Sequence, residues 1–360
     1  MTTHKAWRLH APHDLRFEDV DTVHAAPDGV VVRIEAAAML SYMDKIIAGS
    51  LPYALPPMPF VPGTNAVGRV IEAGTQVGHV RPGDLVFLSP HLRADVPDSE
   101  PPQILIGLTA MGGSEAAVGL QSRWRDGVFA EIAHWPASCV TPLAGLDDRP
   151  VIELLGLAKL VVPFGGLRRL KLRGGQTVII NGATGYFGAG AVLLAVAMGA
   201  GRIVAVGRRR EALQQLAETL GPRVIPAVVT GDDTAKDTAT IRHAACGGAD
   251  VALDLLGQAS STSTTLSTLR ALRRGGRLVL MGSATAPLPL SFGEMLANDW
   301  EVVGQFMYDR TAPGELAMLA RERLLDLSSI IVTSFGLADL PRAVDAAALM
   351  QGLDLTALVP

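Results

Sequence analysis

Hydrophobic positions follow two regimes along the chain. Up to about residue 150 they form short, β-rich runs, each announced by a turn signal. Val30–Glu35 follows Pro27-Asp28-Gly29, Val67–Glu72 follows Pro62-Gly63-Thr64, Leu85–Leu88 follows Arg81-Pro82-Gly83-Asp84, and Val128–Ile132 follows Arg125-Asp126-Gly127. Strands at such close spacing predict a small, irregular β-barrel with little helix. An excursion between Ser89 and Asp126 is first polar and Pro-rich (Asp95–Pro102), then apolar (Ile104–Met111). Its length suggests a lid over a pocket, with a hairpin packed on the barrel as the close alternative. From Val151 onward the period changes. Val151–Leu170 predicts an apolar helix between two domains, and strands and helices then alternate: Thr177–Ile180, Ala189–Met198, Arg202–Val206, Glu211–Leu220, Val224–Val229, Thr234–Ala245, Ala249–Leu256, Thr264–Leu272 and Arg277–Met281. Such alternation predicts a parallel sheet covered by helices. Glu301–Met307 is a last β-rich run, Pro313–Leu325 is helical, and Val332–Phe335 with Ala343–Met350 returns the chain to the barrel.

The organising stretch is Gln176–Arg210. Its first strand breaks into Asn181-Gly182-Ala183-Thr184-Gly185-Tyr186-Phe187-Gly188, and a helix follows at once. The motif reads A-x-G-x-x-G, with Ala183 in place of the usual first glycine. Strand before and helix after supply the context that a dinucleotide fingerprint requires. Gly185 lets the backbone approach a pyrophosphate, Gly188 lets the helix pack closely, and the helix N-terminus faces the anion. Ala183, Thr184, Gly185, Tyr186, Phe187 and Gly188 are therefore candidate cofactor contacts. An NAD site carries Asp or Glu about 20 residues further on. Here Gly207 stands at that point, followed by Arg208, Arg209 and Arg210. With no acid to repel a 2′-phosphate and guanidinium groups to bind it, Gly207, Arg208 and Arg209 predict NADP(H). Arg210 fits a solvated helix start. Strand ends face the ligand in such sheets, so Gly257, Gly282 and Ser283 are expected around the nicotinamide.

Composition narrows the classes. The chain has 360 residues, enough for two domains sharing a cleft. It is 49% hydrophobic and 18% charged, and its net charge is −4 without a large basic patch, which argues against nucleic acid. The longest apolar run, Ala189–Ala200, is too short to span a bilayer. Met1–Pro12 has no apolar core of a secretory signal, so a cytoplasmic protein is expected. Cys139 and Cys246 are far apart, indicating neither a disulfide framework nor a zinc knuckle.

A β-barrel followed by this α/β unit and a C-terminal return resembles the medium-chain dehydrogenase/reductase superfamily. Pro62-Gly63-Thr64-Asn65-Ala66-Val67-Gly68-Arg69-Val70 stands where zinc alcohol dehydrogenases carry P-G-H-E-x-x-G-x-V; Pro82-Gly83-Asp84-Leu85-Val86 is similar to their P-G-D-x-V, and Asp126-Gly127-Val128-Phe129-Ala130-Glu131 to G-x-x-A-E. The resemblance runs from about Trp7 to the end. It implies an α/β fold, a Rossmann-type doubly wound parallel sheet plus a GroES-like β-barrel catalytic domain. Residues 1–155 and 308–360 would form the substrate domain and 156–307 the dinucleotide-binding domain.

The departures from the family pattern bear on chemistry. Catalytic zinc needs three Cys, His or acidic ligands. The family's positions fall on Ser41, on Thr64 (with Asn65 for the adjoining Glu) and around Leu157–Ala158, and the four-cysteine structural lobe is absent. His91 and His134 are weak substitutes. No metal is expected, and the chain resembles the zinc-free branch that includes quinone oxidoreductases and enone reductases. Without a Lewis acid, hydroxyl donors must steady the developing oxyanion. Ser41, Tyr42, Tyr53 and Thr64 are the candidates, with Tyr42 or Tyr53 as oxygen-side donor. Lys159 either lines the cleft or is a salt-bridged surface residue, the safer of the two readings. These features imply NADPH-dependent reduction of an α,β-unsaturated carbonyl or quinone. The alternatives are zinc-independent reduction of a simple ketone or aldehyde, and a non-catalytic NADPH-binding sensor. A homodimer is expected, with Glu301–Met307 pairing with its copy.

Overall fold

The computed structural model describes residues 3–110 and 113–360; Met1 and Met111 of the stretches above lie outside the described residues. The first part contains β1 (Thr3–Ala11), β2 (Asp14–Asp21), β3 (Gly29–Ala38), α1 (Met43–Ile47), β4 (Asn65–Ala73), β5 (Leu85–Leu88), β6 (His91–Arg93), β7 (Gln103–Leu105), β8 (Thr109–Ala110), α2 (Glu115–Arg123), β9 (Ile132–Pro136) and β10 (Val140–Pro142). Then come α3 (Val151–Leu154), α4 (Leu157–Leu170), β11 (Thr177–Asn181), α5 (Tyr186–Ala197), β12 (Arg202–Gly207), α6 (Arg210–Leu220), β13 (Val224–Val228), α7 (Thr234–Ala244), β14 (Ala249–Asp254), α8 (Ser263–Arg270), β15 (Leu272–Leu280), α9 (Phe292–Asn298) and β16 (Glu301–Gly304). The chain closes with α10 (Ala312–Arg321), β17 (Ile331–Gly336), α11 (Leu340–Ala348) and β18 (Asp354–Val359).

β11 to β16 form a six-stranded parallel sheet in the order β13-β12-β11-β14-β15-β16. The order reverses between β11 and β14, which opens a crevice beyond their carboxyl ends. Val178, Ile179 and Ile180 of β11 are wholly buried, because helices cover both faces. A seven-stranded sheet holds β10-β5-β4-β3-β18-β17, with β9 also on β3. The fold is thus a Rossmann-type parallel sheet joined to a GroES-like barrel.

Several local expectations needed correction. The interdomain helix is broken at Leu155–Gly156 into α3 and α4. The run at Val128–Ile132 becomes a strand only from Ile132, where it pairs with Arg33 of β3. The C-terminal return to the barrel runs, as expected, through Val332–Phe335 in β17 and Ala343–Met350, mostly α11, whose Ala343, Val344 and Ala347 pack in the barrel core; β18, unread in the sequence, completes it antiparallel to β3 at Ala38 and Ala37. The excursion after Ser89 is not a loose lid. β6, β7 and β8 make an antiparallel sheet whose Ile104 is wholly buried, as is the adjoining Ile106, and α2 follows with Ser114 capping the Ala117 N–H. Its sequence period is 2 in three very short strands, too brief to separate from a loop by pattern. Among the described residues no helix is long and apolar enough to cross a membrane.

Candidate active-site cleft

At the end of β11 the backbone turns through Gly182 (φ +81°) and Ala183 into α5, whose first residue is Tyr186. Gly185 is the N-cap and makes no side-chain cap, so the first amides of α5 point outward without a side-chain acceptor. A Cβ on Gly188 would run into the Gly182 carbonyl oxygen, so only glycine permits this close return of helix to turn. Uncapped amides and a bare backbone suit an anion, and the turn could hold a pyrophosphate. Gly257, Gly282 and Ser283 lie just past β14 and β15, and Ser283 Oγ accepts the Gln258 N–H at 2.9 Å.

The arginines after β12 do different things. Arg209 donates to the Thr184 carbonyl at 3.3 Å and to the Gln351 side chain, tying the turn to the chain's last segment. Gly352 N–H adds a bond to the same carbonyl at 3.4 Å. Arg208 is exposed and makes no side-chain hydrogen bond or ion pair among the described residues. Arg210 is the exposed first residue of α6.

On the barrel side, Ser41 and Tyr42 sit in the turn before α1, and Thr64 and Asn65 open β4. Thr64 Oγ1 is buried without a hydrogen-bond partner among the described residues. Asn65 Nδ2 donates to the Leu88 carbonyl at 3.3 Å, so it binds neighbouring backbone. The Tyr42 phenol is pushed well above the ordinary tyrosine range, first by burial and then by the facing phenols of Tyr53 and Tyr186. Burial likewise raises Tyr186. Both stay neutral near pH 7 and can serve as hydrogen-bond donors. The loop carrying Tyr53 is braced by the excursion: the Ala110 N–H (2.9 Å) and the Gln121 amide (3.0 Å) both donate to the Ala54 carbonyl. Tyr42 and Tyr53 therefore neighbour Tyr186 at the start of α5, whereas Arg208 follows β12, next to Gly207, which packs against Thr184 of the turn.

Two groups were misjudged or missed in the sequence. Lys159 is not a salt-bridged surface residue. It is 0% exposed on α4, its ammonium lies 3.8 Å from the Tyr186 ring centroid, and it donates to the Asp354 carbonyl at 3.1 Å. Burial pulls it down to about 7, against a smaller opposing pull from the Asp354 carboxylate. A long charged side chain in the first turn of a helix gives no pattern-level sign of burial. Asp254, at the end of β14, is buried and accepts from Asn181 (2.7 Å), Thr265 (2.7 Å) and the Leu256 N–H (3.2 Å). It locks the two central strand ends beneath the crevice, and burial raises its carboxyl despite these bonds. Paired polar residues at adjacent strand ends were the available signal.

Zinc does not fit. Ser41, Thr64, Leu157 and Ala158 offer no ligand set, and among the described residues no three His, Cys, Asp or Glu side chains converge. His91 is bound to the Tyr308 carbonyl (3.0 Å) and the Gln103 amide (2.9 Å), and His134 Nε2 meets the Ala26 N–H at 3.1 Å. A cavity of about 300 Å³ lined by His91, Arg93, Cys139, Tyr308 and Arg310 touches neither the glycine turn nor Tyr42.

Residues 26–145 match the alcohol dehydrogenase GroES-like domain, and residues 187–321 match the zinc-binding dehydrogenase domain. The chain belongs to the medium-chain dehydrogenase/reductase superfamily. It is 28% identical over 311 residues to acryloyl-coenzyme A reductase of Metallosphaera sedula, covering 85% of each chain. It is 23% identical to sorbitol dehydrogenase of Rattus norvegicus over 363 residues, 98% of this chain and 94% of that one. A putative zinc-binding dehydrogenase from Sinorhizobium meliloti, solved with NADP, superposes with a TM-score of 0.79 at 19% identity, covering 100% of both chains. This superfamily member is a nucleotide-binding oxidoreductase acting on a small molecule.

Proposed function

We propose that this dehydrogenase/reductase uses NADP(H), without zinc, to reduce an α,β-unsaturated carbonyl or quinone bound between residues 1–155 with 308–360 and residues 156–307. The observation that carries the reading is the replacement of the metal-ligand positions by hydroxyl and apolar side chains, with the Thr64 hydroxyl buried and unpartnered among the described residues and the Tyr42 phenol facing those of Tyr53 and Tyr186. The dinucleotide supplies hydride when bound. Residues Ala183–Gly188 hold its pyrophosphate, Gly207, Arg208 and Arg209 face its 2′-phosphate, and Gly257, Gly282 and Ser283 border the nicotinamide. Tyr42 or Tyr53 donates to the substrate oxygen, supported by Ser41 and Thr64, so that charge spreading from the far carbon into an enolate is stabilised by preorganised donors. The match to a reductase named for acryloyl-coenzyme A, a conjugated thioester, supports this choice.

A second reading, reduction of a simple ketone or aldehyde, is favoured by the match to sorbitol dehydrogenase. Steady-state rates on an enone and its saturated ketone, with metal analysis of the same protein, test the two. Turnover of the enone alone in metal-free protein is expected. Activity confined to the ketone, or stoichiometric zinc, overturns the proposal. Tight NADPH binding with no turnover of any carbonyl or quinone would instead mark a sensor.

The reading includes a homodimer. Among the described residues β16 pairs only with β15, and the preceding α9 has no buried residue, with Phe292 85% and Leu296 68% exposed. Such apolar residues beside an unpaired edge fit a second copy. Phe292→Glu with Leu296→Glu is expected to convert a dimer to a monomer in sedimentation equilibrium; an unchanged mass rejects this interface.

A further inference from the structure

Lys159 is out of place for a structural residue. An ammonium has three N–H donors, and here one goes to the Asp354 carbonyl while the Tyr186 ring face can take a second. At least one is left without an acceptor, and no carboxylate lies within ion-pair distance among the described residues. A buried cation is costly unless an anion compensates it. Tyr186 begins α5, so the ammonium sits beside the helix end that suits a pyrophosphate. The same place is gripped by the C-terminal segment: Gly352 bonds the Thr184 carbonyl, Arg209 joins Thr184 to Gln351, and Lys159 reaches Asp354. Arg209 thus holds the glycine turn and Lys159 the ring of the first residue of α5, and both are anchored to residues 351–354.

We propose that Lys159 is a cofactor-binding cation whose ammonium pairs with the pyrophosphate of the bound dinucleotide. This rests on the proposed dinucleotide site but not on the choice of substrate. It has a consequence in protons. In the free protein the ammonium is held down to about 7. An arriving anion favours the charged form, so above that pH binding must carry a proton in. Below it the lysine is already charged and uptake vanishes. The groups facing Lys159 are Tyr186 from α5 and Asp354 from β18, with Tyr42 and Tyr53 beyond Tyr186. Tyr42 and Tyr186 are raised far above this range.

The test is calorimetric titration of NADPH, and separately NADH, at pH 8.5 in two buffers of different protonation enthalpy. The 2′-phosphate, which titrates near pH 6, is silent there. Uptake approaching one proton is expected for both dinucleotides, since both carry the pyrophosphate, and Kd is expected to weaken by up to about tenfold per pH unit above 7. Lys159→Met should take up no proton and bind at least about tenfold more weakly at pH 7. Lys159→Arg, always charged, should keep the affinity and lose the uptake. Uptake unchanged in Lys159→Met overturns the assignment. So does a flat pH profile of the unaltered protein, which decides the matter even if the variants do not fold. Uptake seen only when a carbonyl substrate joins the preformed complex also overturns it, moving the charge to the substrate oxygen. Failure of both dinucleotides to bind sinks this assignment together with the cofactor reading. Full uptake with no enone turnover leaves it standing and sinks the reaction alone.

Discussion

Gly188→Val is expected to abolish folding to a dinucleotide-binding state, while Gly185→Ala is expected to fold normally and bind poorly. The two glycines lie three residues apart but face different neighbours. A Cβ at Gly188 is driven into the backbone oxygen of Gly182, which cannot rotate aside as a side chain could. Relief requires lifting α5 off the sheet, where Ala189, Ala191 and Val192 are wholly buried. Overpacking a dense core costs about 1–3 kcal/mol, and more where backbone must move. A Cβ at Gly185 has only the Gly182 oxygen at 3.3 Å, and the residue's φ of −78° is open to alanine. Its methyl group would instead occupy the approach of the pyrophosphate, at a cost of about tenfold or more in Kd. Urea denaturation and fluorescence titration of NADPH separate the effects. Equal binding by Gly185→Ala and the unaltered protein would remove the pyrophosphate from this turn.

Arg208→Ala is expected to weaken NADPH about 10- to 100-fold and NADH less than about threefold. The two guanidinium groups differ in their engagement. Arg209 is engaged by the Thr184 carbonyl and Gln351, so its loss should loosen the turn and weaken both dinucleotides. Arg208 is exposed and, among the described residues, unengaged, next to Gly207 where an NAD site would carry an acid. A guanidinium about 4 Å from a phosphate is worth about 4 kcal/mol at an effective dielectric near 20, and competition with water reduces this. The selectivity should shrink as salt is added, because the site is open to solvent. Equal losses for NADH and NADPH, measured by paired titrations at two ionic strengths, would take the 2′-phosphate away from Arg208.

Much of this molecule is written locally. Buried parallel strands must be continuously apolar, and β11, β12 and β14 announce themselves for that reason. The glycine turn is legible because its strictest demand, no side chain at Gly188, is made by the Gly182 carbonyl only six residues away. The short strands of the excursion were not legible because their own patterns are too brief, and the start of β9 was not because its partner β3 lies about a hundred residues back along the chain.

The sequence by itself determined the α/β alternation, the glycine turn, the absence of an acid after β12, and the loss of ligand types at the metal positions. Only the tertiary structure decided where Lys159 goes, that Tyr186 joins Tyr42 and Tyr53, and that residues 351–354 close on the turn. The physical reason is range. Residue type and period report what a segment demands of its immediate surroundings, whereas the burial of a charge depends on elements roughly two hundred residues apart meeting in space, as Lys159 and Asp354 do.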